Sequence, residues 1–262
     1  MKLFIGQFII LEMIYIKTKG EIEIMKEGGR RLRQVIQYLL PTVKEGLTTA
    51  RINEKAESLI KEFGGEPSFK KVRNYCWATC LTVNDQVVHT PPTERILNKG
   101  DLLTVDIGFY YQGFHTDYAT SLQIGKEKDK KIEEFLFTGK EALTKAINQA
   151  KVNNHLGGIS DAIEKTICGK GFFIIKRLTG HGIGRNLHED PFILGYLDRP
   201  KDKTLRLKEG LTLAVEVIYS TGTEEIMTEK GNNWSLVTVD HSLSACFEKT
   251  IAITNDGPVI LT

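Results

Sequence analysis

Two carboxylates stand where carboxylates are costly. Asp106 interrupts the apolar run Leu103, Val105, Ile107, Phe109, and Asp117 follows a Gln112-Gly113 pair. A lone charge in an apolar run is unfavourable unless something compensates it. Apolar residues at every second position are the period of a strand with one buried face, and glycine accepts φ > 0 in a tight turn. The stretch from Asp101 to Gly125 therefore reads as a β-hairpin. With Gln112-Gly113 as a two-residue turn, Tyr111 pairs with Phe114, Asp106 faces Ala119 and Gly108 faces Asp117. The two acids then share a face as diagonal neighbours, with Cα atoms about 7–8 Å apart. A slip of one residue would separate them. Carboxylates that converge in a buried site share a proton or hold a cation. The plain alternative is an exposed Asp117 and a locally satisfied Asp106.

Three more features carry the same chemistry. Thr179–Pro191 (TGHGIGRNLHEDP) is a Gly-rich loop bearing His181 and His188. Glu216 is the lone acid in LTLAVEVIY, and Glu248 sits between Phe247 and Ile251 in another strand-like run. Two Asp, two Glu and one imidazole form a hard, oxygen-rich donor set. Such a set suits divalent ions such as Mn, Fe(II) or Co, which carboxylates can bridge. Taken singly, a strand Glu reads as an edge residue and a loop His as solvated. The two His are not an i, i+4 zinc pair. The glycines lack the dinucleotide fingerprint and its β-α-β setting. Neither a Walker A motif nor a G-x-S-x-G elbow is present.

The elements that must position these residues recur in order. Glu21 to Leu40 reads as a helix with Ile22, Met25, Leu32, Val35, Ile36 and Leu39 on one stripe, weakened at Gly28-Gly29 and ended by Pro41. Thr48 or Thr49 caps a second helix that stops at Gly64-Gly65. Tyr75 to His89 reads as extended, Pro91-Pro92 forces a loop, and the hairpin follows. Then Glu127 to Ala150 reads as a helix, and Ser160 or Asp161 opens another that stops at Gly169-Lys170-Gly171. Strand-like stretches at 171–178, 211–219, 234–239 and 244–253 complete the pattern. Two rounds of helix, helix, strands predict an α+β fold with antiparallel strands, not an alternating parallel sheet.

Composition bounds the function classes. The 262 residues make one large or two small domains, with ordinary charged (26%) and hydrophobic (41%) fractions for a soluble globular chain. A net charge of +2 gives no nucleic-acid footprint or polybasic membrane anchor. Cys76, Cys80, Cys168 and Cys246 have neither zinc-ribbon nor disulfide-framework spacing, so free thiols are expected. Residues 3–16 are mostly apolar, too short to span a bilayer and broken by Glu12. Lys17-Thr18-Lys19 follows where a signal peptide needs small residues. Residues 1–15 are expected to be an extension that packs as an extra strand or precedes a start at Met13, with 16–262 forming one catalytic domain.

Taken together, the motifs resemble the type I methionine aminopeptidases from about Ile16 to the end of the chain. The carrying segments are Cys80–His89 (CLTVNDQVVH), the hairpin with Asp106 and Asp117, T-G-H-G-I-G-R-x-x-H-E-x-P at 179–191, Val215-Glu216, and Ser242–Glu248 (SLSACFE). The resemblance implies the pita-bread α+β fold, an antiparallel curved sheet flanked by helices with a pseudo-two-fold through the site. It implies two divalent ions held by Asp106, Asp117, His181, Glu216 and Glu248, with Asp117 and Glu248 bridging. A dimetal-bound hydroxide would attack the first peptide bond. Glu216 would act as base, while His188 and His89 would face the carbonyl oxygen and the peptide nitrogen. Tyr75, Cys80, Leu187 and Trp234 match positions that line the family's methionine pocket. The implied substrates are nascent polypeptide N-termini, including those at the ribosome. The implied enzyme is a cytoplasmic monomer that needs neither nucleic acid nor membrane.

The chain departs from the family in four places. Leu187 stands where Phe is usual, Val217 where Pro is usual, Lys249 where His is usual, and Thr90-Pro91-Pro92 where Gly-Ile-Pro is usual. None removes an implied ligand, so they bear on substrate range and rate. His241 has no implied role and reads as an exposed turn residue. Proline-specific peptidases share the fold and ligand set but carry a preceding domain, for which a first ligand at residue 106 leaves no room. Type II methionine aminopeptidases carry a helical insertion where only 182–215 lies here. A non-catalytic pita-bread binding protein would have lost ligands, and all five are present.

Overall fold

The computed structural model describes residues 14–126 and 129–262. Four α-helices form: α1 (Lys19–Leu39), α2 (Thr49–Glu62), α3 (Lys130–Gln149) and α4 (Gly157–Cys168). The strands are β1 (Glu66–Pro67), β2 (Thr79–Val83), β3 (Gln86–Val88), β4 (Leu102–Tyr111), β5 (Phe114–Gln123), β6 (Phe173–Ile174), β7 (Thr179–Gly182), β8 (Glu189–Leu194), β9 (Thr212–Ser220), β10 (Ile226–Thr228), β11 (Leu236–Thr238), β12 (Ser244–Thr254) and β13 (Gly257–Ile260). The main sheet runs β1-β4-β5-β12-β9-β7-β8, with β2 on β4, β6 on β9 and β13 on β12; β10, β11 and β3 form a smaller sheet. All of these pairings are antiparallel, as the sequence order predicts.

The β4–β5 hairpin closes in the expected register. Tyr111 pairs with Phe114, Asp106 with Ala119 and Gly108 with Asp117. Gln112 (φ 46°) and Gly113 (φ 91°) turn it in the left-handed region. Alternation then separates two faces. Leu103, Val105, Ile107 and Phe109 of β4 pack with α1 and α2, while Val215 and Val217 of β9 and Phe247 and Ile251 of β12 pack with α3 and α4. Asp106, Glu216 and Glu248, one residue out of phase with those runs, point to the other side. Each helix pair thus covers one half of the sheet, and β5 and β12 join the halves at its centre.

Several expected boundaries shift for physical reasons. Helix α1 begins two residues before the predicted Glu21, because Thr18 and Glu21 form a capping box. It runs unbroken through Gly28-Gly29, whose missing side chains permit close packing: a Cβ on Gly29 would land on the Leu261 carbonyl, and one on Gly28 would lie 3.4 Å from Tyr111 Cβ. Helix α4 opens at Gly157, before Ser160, its first amide held by the Thr204 hydroxyl at 2.9 Å. Of the strand expected at 171–178, only Phe173–Ile174 pairs, with the end of β9. The segment read as a Gly-rich loop is largely β-structure, since β7 holds His181 and β8 starts at Glu189. Glycine at 180 and 182 lets the backbones of β9 and β8 approach there. Residues 14–18 add no strand; the rest of the expected N-terminal extension, Met13 included, lies outside the described residues, as do Glu127 and Lys128 of the third predicted helix.

Candidate metal centre

Sheet register assembles the acids. Asp106 pairs with Ala119, Ala119 with Glu248, and Glu248 with Glu216, so three carboxylates occupy one row across β4, β5, β12 and β9. Directly paired residues place their side chains on the same face. The adjacent row carries His181 opposite Ala214, Ala214 opposite Thr250, and Gly108 opposite Asp117. Thr250 Oγ1 accepts from the Asp117 amide at 2.8 Å and donates to the Asp117 carbonyl at 2.9 Å, locking that row across the seam. Donor atoms of Asp117, His181 and Glu248 lie within 4.8 Å of one another, and all three residues are buried. Asp106 and Glu216 are half-buried at either side.

The electrostatics match a site built for cations. Burial raises the Asp117 carboxyl to about 7. Burial, then Asp117, raises Glu216 to about 8. Asp106 and Glu248 are pushed well up, first by burial and then by each other's neighbours Asp117 and Glu216. Asp106 Oδ1 and Glu248 Oε1 are buried without a hydrogen-bond partner. Orphaned buried acceptors among converging carboxylates are expected where a positive charge completes the site. The His181 Nδ1 lies 2.8 Å from the Gly182 carbonyl. A carbonyl only accepts, so Nδ1 carries the proton and the Nε2 lone pair is free for a cation. Burial lowers His181 to about 3, which keeps that lone pair available. The residues therefore fit divalent metal.

The other expected site residues gather around this centre. His188, in the β7–β8 loop, meets His181 edge-to-face with ring centroids 4.5 Å apart. Both His188 and His89 are reachable by solvent, yet the protein mass around them lowers both pKa values; burial, then His188, takes His89 to about 4. His89 itself has φ 59°, a strained backbone for a residue with a Cβ. Tyr75, Cys80 and Leu187 share one apolar cluster, with Trp234 packed against it. The Tyr75 hydroxyl sits 2.9 Å from the Thr79 carbonyl and 3.1 Å from Cys80 Sγ. Cys80 pairs with Asp106, which joins the cluster to the row of acids.

The departures from the family pattern separate cleanly. Leu187 lies in the cluster. Val217 is buried on the helix side of β9, and Lys249 lies over the Tyr118 ring at 4.2 Å. Thr90 Oγ1 meets Ser235 Oγ at 2.7 Å. His241 is exposed, as expected, but pairs with Asp85 at 2.6 Å. All four cysteines are free. Among the described residues no helix is long and apolar enough to cross a membrane.

Sequence spacing gave no sign of Trp77, which meets the Tyr75 ring edge-to-face at 5.2 Å, as Trp234 does at 5.1 Å. Nor did it mark His115, buried with its Nδ1 2.6 Å from Ser68 Oγ. Thr250 was within reach of the period-two rule, two residues beyond Glu248 on the same strand face.

Comparison with known proteins agrees with this geometry. Residues 23–255 match Metallopeptidase family M24. Methionine aminopeptidase 1 of Bacillus subtilis is 38% identical over 252 residues, covering 95% of this chain and 99% of that one. The crystal structure of a methionine aminopeptidase from Thermotoga maritima superposes with a TM-score of 0.91 at 37% identity, covering 95% of this chain and 99% of that one. A prolidase from Pyrococcus furiosus shares the fold at 23% identity and a TM-score of 0.75, covering 94% of this chain and 65% of that one. With its carboxylate rows, its imidazole and these relatives, the chain belongs to metallopeptidase family M24, among the methionine aminopeptidases, as a hydrolase of the pita-bread fold.

Proposed function

We propose that this protein removes the initiator methionine from nascent polypeptides and peptides in the cytoplasm, by hydrolysis of the first peptide bond. The observation that carries the reading is the convergence of Asp117, His181 and Glu248 between Asp106 and Glu216, beside an apolar cluster holding Tyr75, Cys80 and Leu187. In this reading the five polar residues would hold two divalent ions of the Mn, Fe(II) or Co type, with Asp117 and Glu248 contributed by the two central strands. When bound, such ions supply an activated water near neutral pH and polarise a carbonyl.

The chain's own residues do the rest. Glu216 takes the proton of the attacking water. His188, kept neutral by its lowered pKa, retains one ring N–H to donate to the carbonyl oxygen as it gains charge. His89 bonds the peptide nitrogen, its direction set by the strained backbone. Tyr75, Cys80, Leu187 and Trp234 surround the unbranched thioether, a side chain that tolerates sulfur and aromatic neighbours. The free amine of the substrate is read by the same acid-rich centre.

The test is release of methionine from Met-Ala-Ser by protein stripped of metal and reloaded with Mn or Co, beside an Ala-Pro peptide and the Asp106→Ala variant. Metal-dependent release that the variant lacks is the expected result. Cleavage at Ala-Pro in place of Met-Ala would move the chain to the proline-peptidase branch, and silence on both with no bound metal would remove the catalytic reading.

A further inference from the structure

Just before α1 lies a lysine with no place in the chemistry above. The Lys17 side chain is 4% exposed and forms an ion pair with Glu189, whose side chain is 1% exposed. Charges this deeply buried persist only when paired and hydrogen-bonded. The pair is fully dressed. The Lys17 ammonium also donates to the Tyr15 carbonyl at 3.1 Å, and the Lys17 amide donates to the Gly210 carbonyl at 2.8 Å. The second Glu189 oxygen accepts from the Asn186 amide at 3.0 Å.

Those contacts converge on one loop. Asn186 precedes Leu187 and His188, and Glu189 follows them. The Asn186 carbonyl accepts from the Gly184 amide at 3.0 Å, and the Gly184 carbonyl accepts from the His115 amide at 2.7 Å. Position 184 is glycine where the lysine passes: a Cβ there would overlap Lys17 Cε. Position 210 is likewise open, at φ 88°, where Ile16 and Lys17 cross it. Thus Gly210 admits the Lys17 backbone and Gly184 the end of its side chain, and the charge ends on the acid that closes the turn. Outside this pair the loop's only cross-chain ion pair among the described residues is Arg185 with Glu21 at 2.7 Å, solvent-exposed and therefore weak.

We propose that Lys17 is a positioning residue for the substrate loop. By holding Glu189, it fixes the turn at 184–188 and so sets Leu187 against the methionine side chain and His188 against the carbonyl. The inference rests on the reading of the site given above. It makes the segment before α1 part of the specificity apparatus, although that segment touches no reacting atom.

The experiment compares the full chain with Lys17→Met, which keeps the apolar stem and removes the charge, and Lys17→Arg, which keeps the charge. Steady-state kinetics on Met-Ala-Ser and Leu-Ala-Ser are measured with hydrogen exchange of the amides at 184–188. For Lys17→Met the expected result is a KM on Met-Ala-Ser raised about tenfold or more, because small misplacements of aligning groups are costly. The preference for Met over Leu narrows, and exchange at Asn186 accelerates, with partial recovery of all three in Lys17→Arg. A lowered melting temperature with parental KM, selectivity and exchange would overturn the proposal and leave Lys17 as a structural contact. If Lys17→Met does not fold, Lys17→Met with Glu189→Gln removes both charges, and the same outcomes decide. Should the parent chain prove silent on Met-Ala-Ser, the reading of the site fails. The exchange rates at 184–188 still decide whether Lys17 holds the loop.

Discussion

Asp106 Oδ1 and Glu248 Oε1 are buried without partners, while other acids in the chain, such as Glu27 beside Arg30 and Arg31, are held well down by cations. The difference is what marks the centre. A carboxylate answered by an arginine is a surface pair, and one answered by nothing awaits a cation. Around it the imidazoles divide their labour by depth. His181 is buried, with Nδ1 tied to a carbonyl, so it can only offer a lone pair. His188 is reachable from solvent, so it can meet a substrate. Replacing His188 by Ala is expected to lower kcat on Met-Ala-Ser by about 10²–10³-fold, the range for a lost oxyanion donor. Metal content measured by atomic absorption should stay at the parental value. Loss of metal along with activity would instead make His188 a ligand.

At the scale of the elements, α1 shows how glycine in a helix can be a packing device. Helix propensity counts Gly28-Gly29 as a weakness, yet Gly29 lets the helix lie against the Leu261 carbonyl. Gly29→Ala is expected to destabilise the protein by about 1–3 kcal/mol, as overpacking does, and urea unfolding with an unchanged m-value would show it. Unchanged stability would mean that the C-terminal segment yields. The β4–β5 hairpin makes the complementary point. Its register was legible because the turn and the alternation agree, and a one-residue slip would expel every apolar side chain of β4 from the core. The β7–β8 pair was not legible as strands. Glycines at 180, 182 and 184 read as loop residues, and only the folded neighbours show why they are small: 180 admits the backbone of β9, 182 that of β8, and 184 the Lys17 side chain.

Across the whole molecule, the centre draws on both halves. Asp106 and Asp117 come from the half covered by α1 and α2; Glu216, Glu248 and His181 come from the half covered by α3 and α4. In the proposed reading bound metal would tie the halves together, and metal at 100 times its Kd is expected to add about 2.7 kcal/mol, or about 5–10 °C in melting temperature. The gain has a pH dependence of known sign. In the metal-free chain the folded pKa values of Asp117 (about 7) and Glu216 (about 8) lie above their unfolded values, and burial likewise holds those of Asp106 and Glu248 well above theirs. The folded state then binds more protons than the unfolded one, so stability falls as pH rises toward the folded pKa values. The imidazoles work the other way. His89, His115 and His181, lowered to between about 3 and 4, favour the folded state increasingly up to the unfolded His value of about 6.5. Above that value the carboxylates dominate, and the Lys249 ammonium, lowered to about 8 by burial, begins to oppose them only at the upper end of the range. The metal-free protein is expected to lose melting temperature from pH 6.5 to 8, while the metal-bound protein does not. Scanning calorimetry of both forms checks this, and parallel curves would count against the clustered acids as the metal site.

By itself the sequence determined the identities and order of the polar residues, the period that turns them away from the core, and the hairpin that sets Asp106 and Asp117 on one face as diagonal neighbours. Those are local properties, set by alternation and turn chemistry over a few residues. Only the tertiary structure decided that Glu248 lies between Ala119 and Glu216, that Thr250 bonds the Asp117 backbone, and that Lys17 reaches Glu189. Apart from the neighbouring strands that carry Glu216 and Glu248, these join segments more than a hundred residues apart. Period and turn chemistry act within a strand or a hairpin, whereas such pairings are chosen by the packing of the two halves against each other.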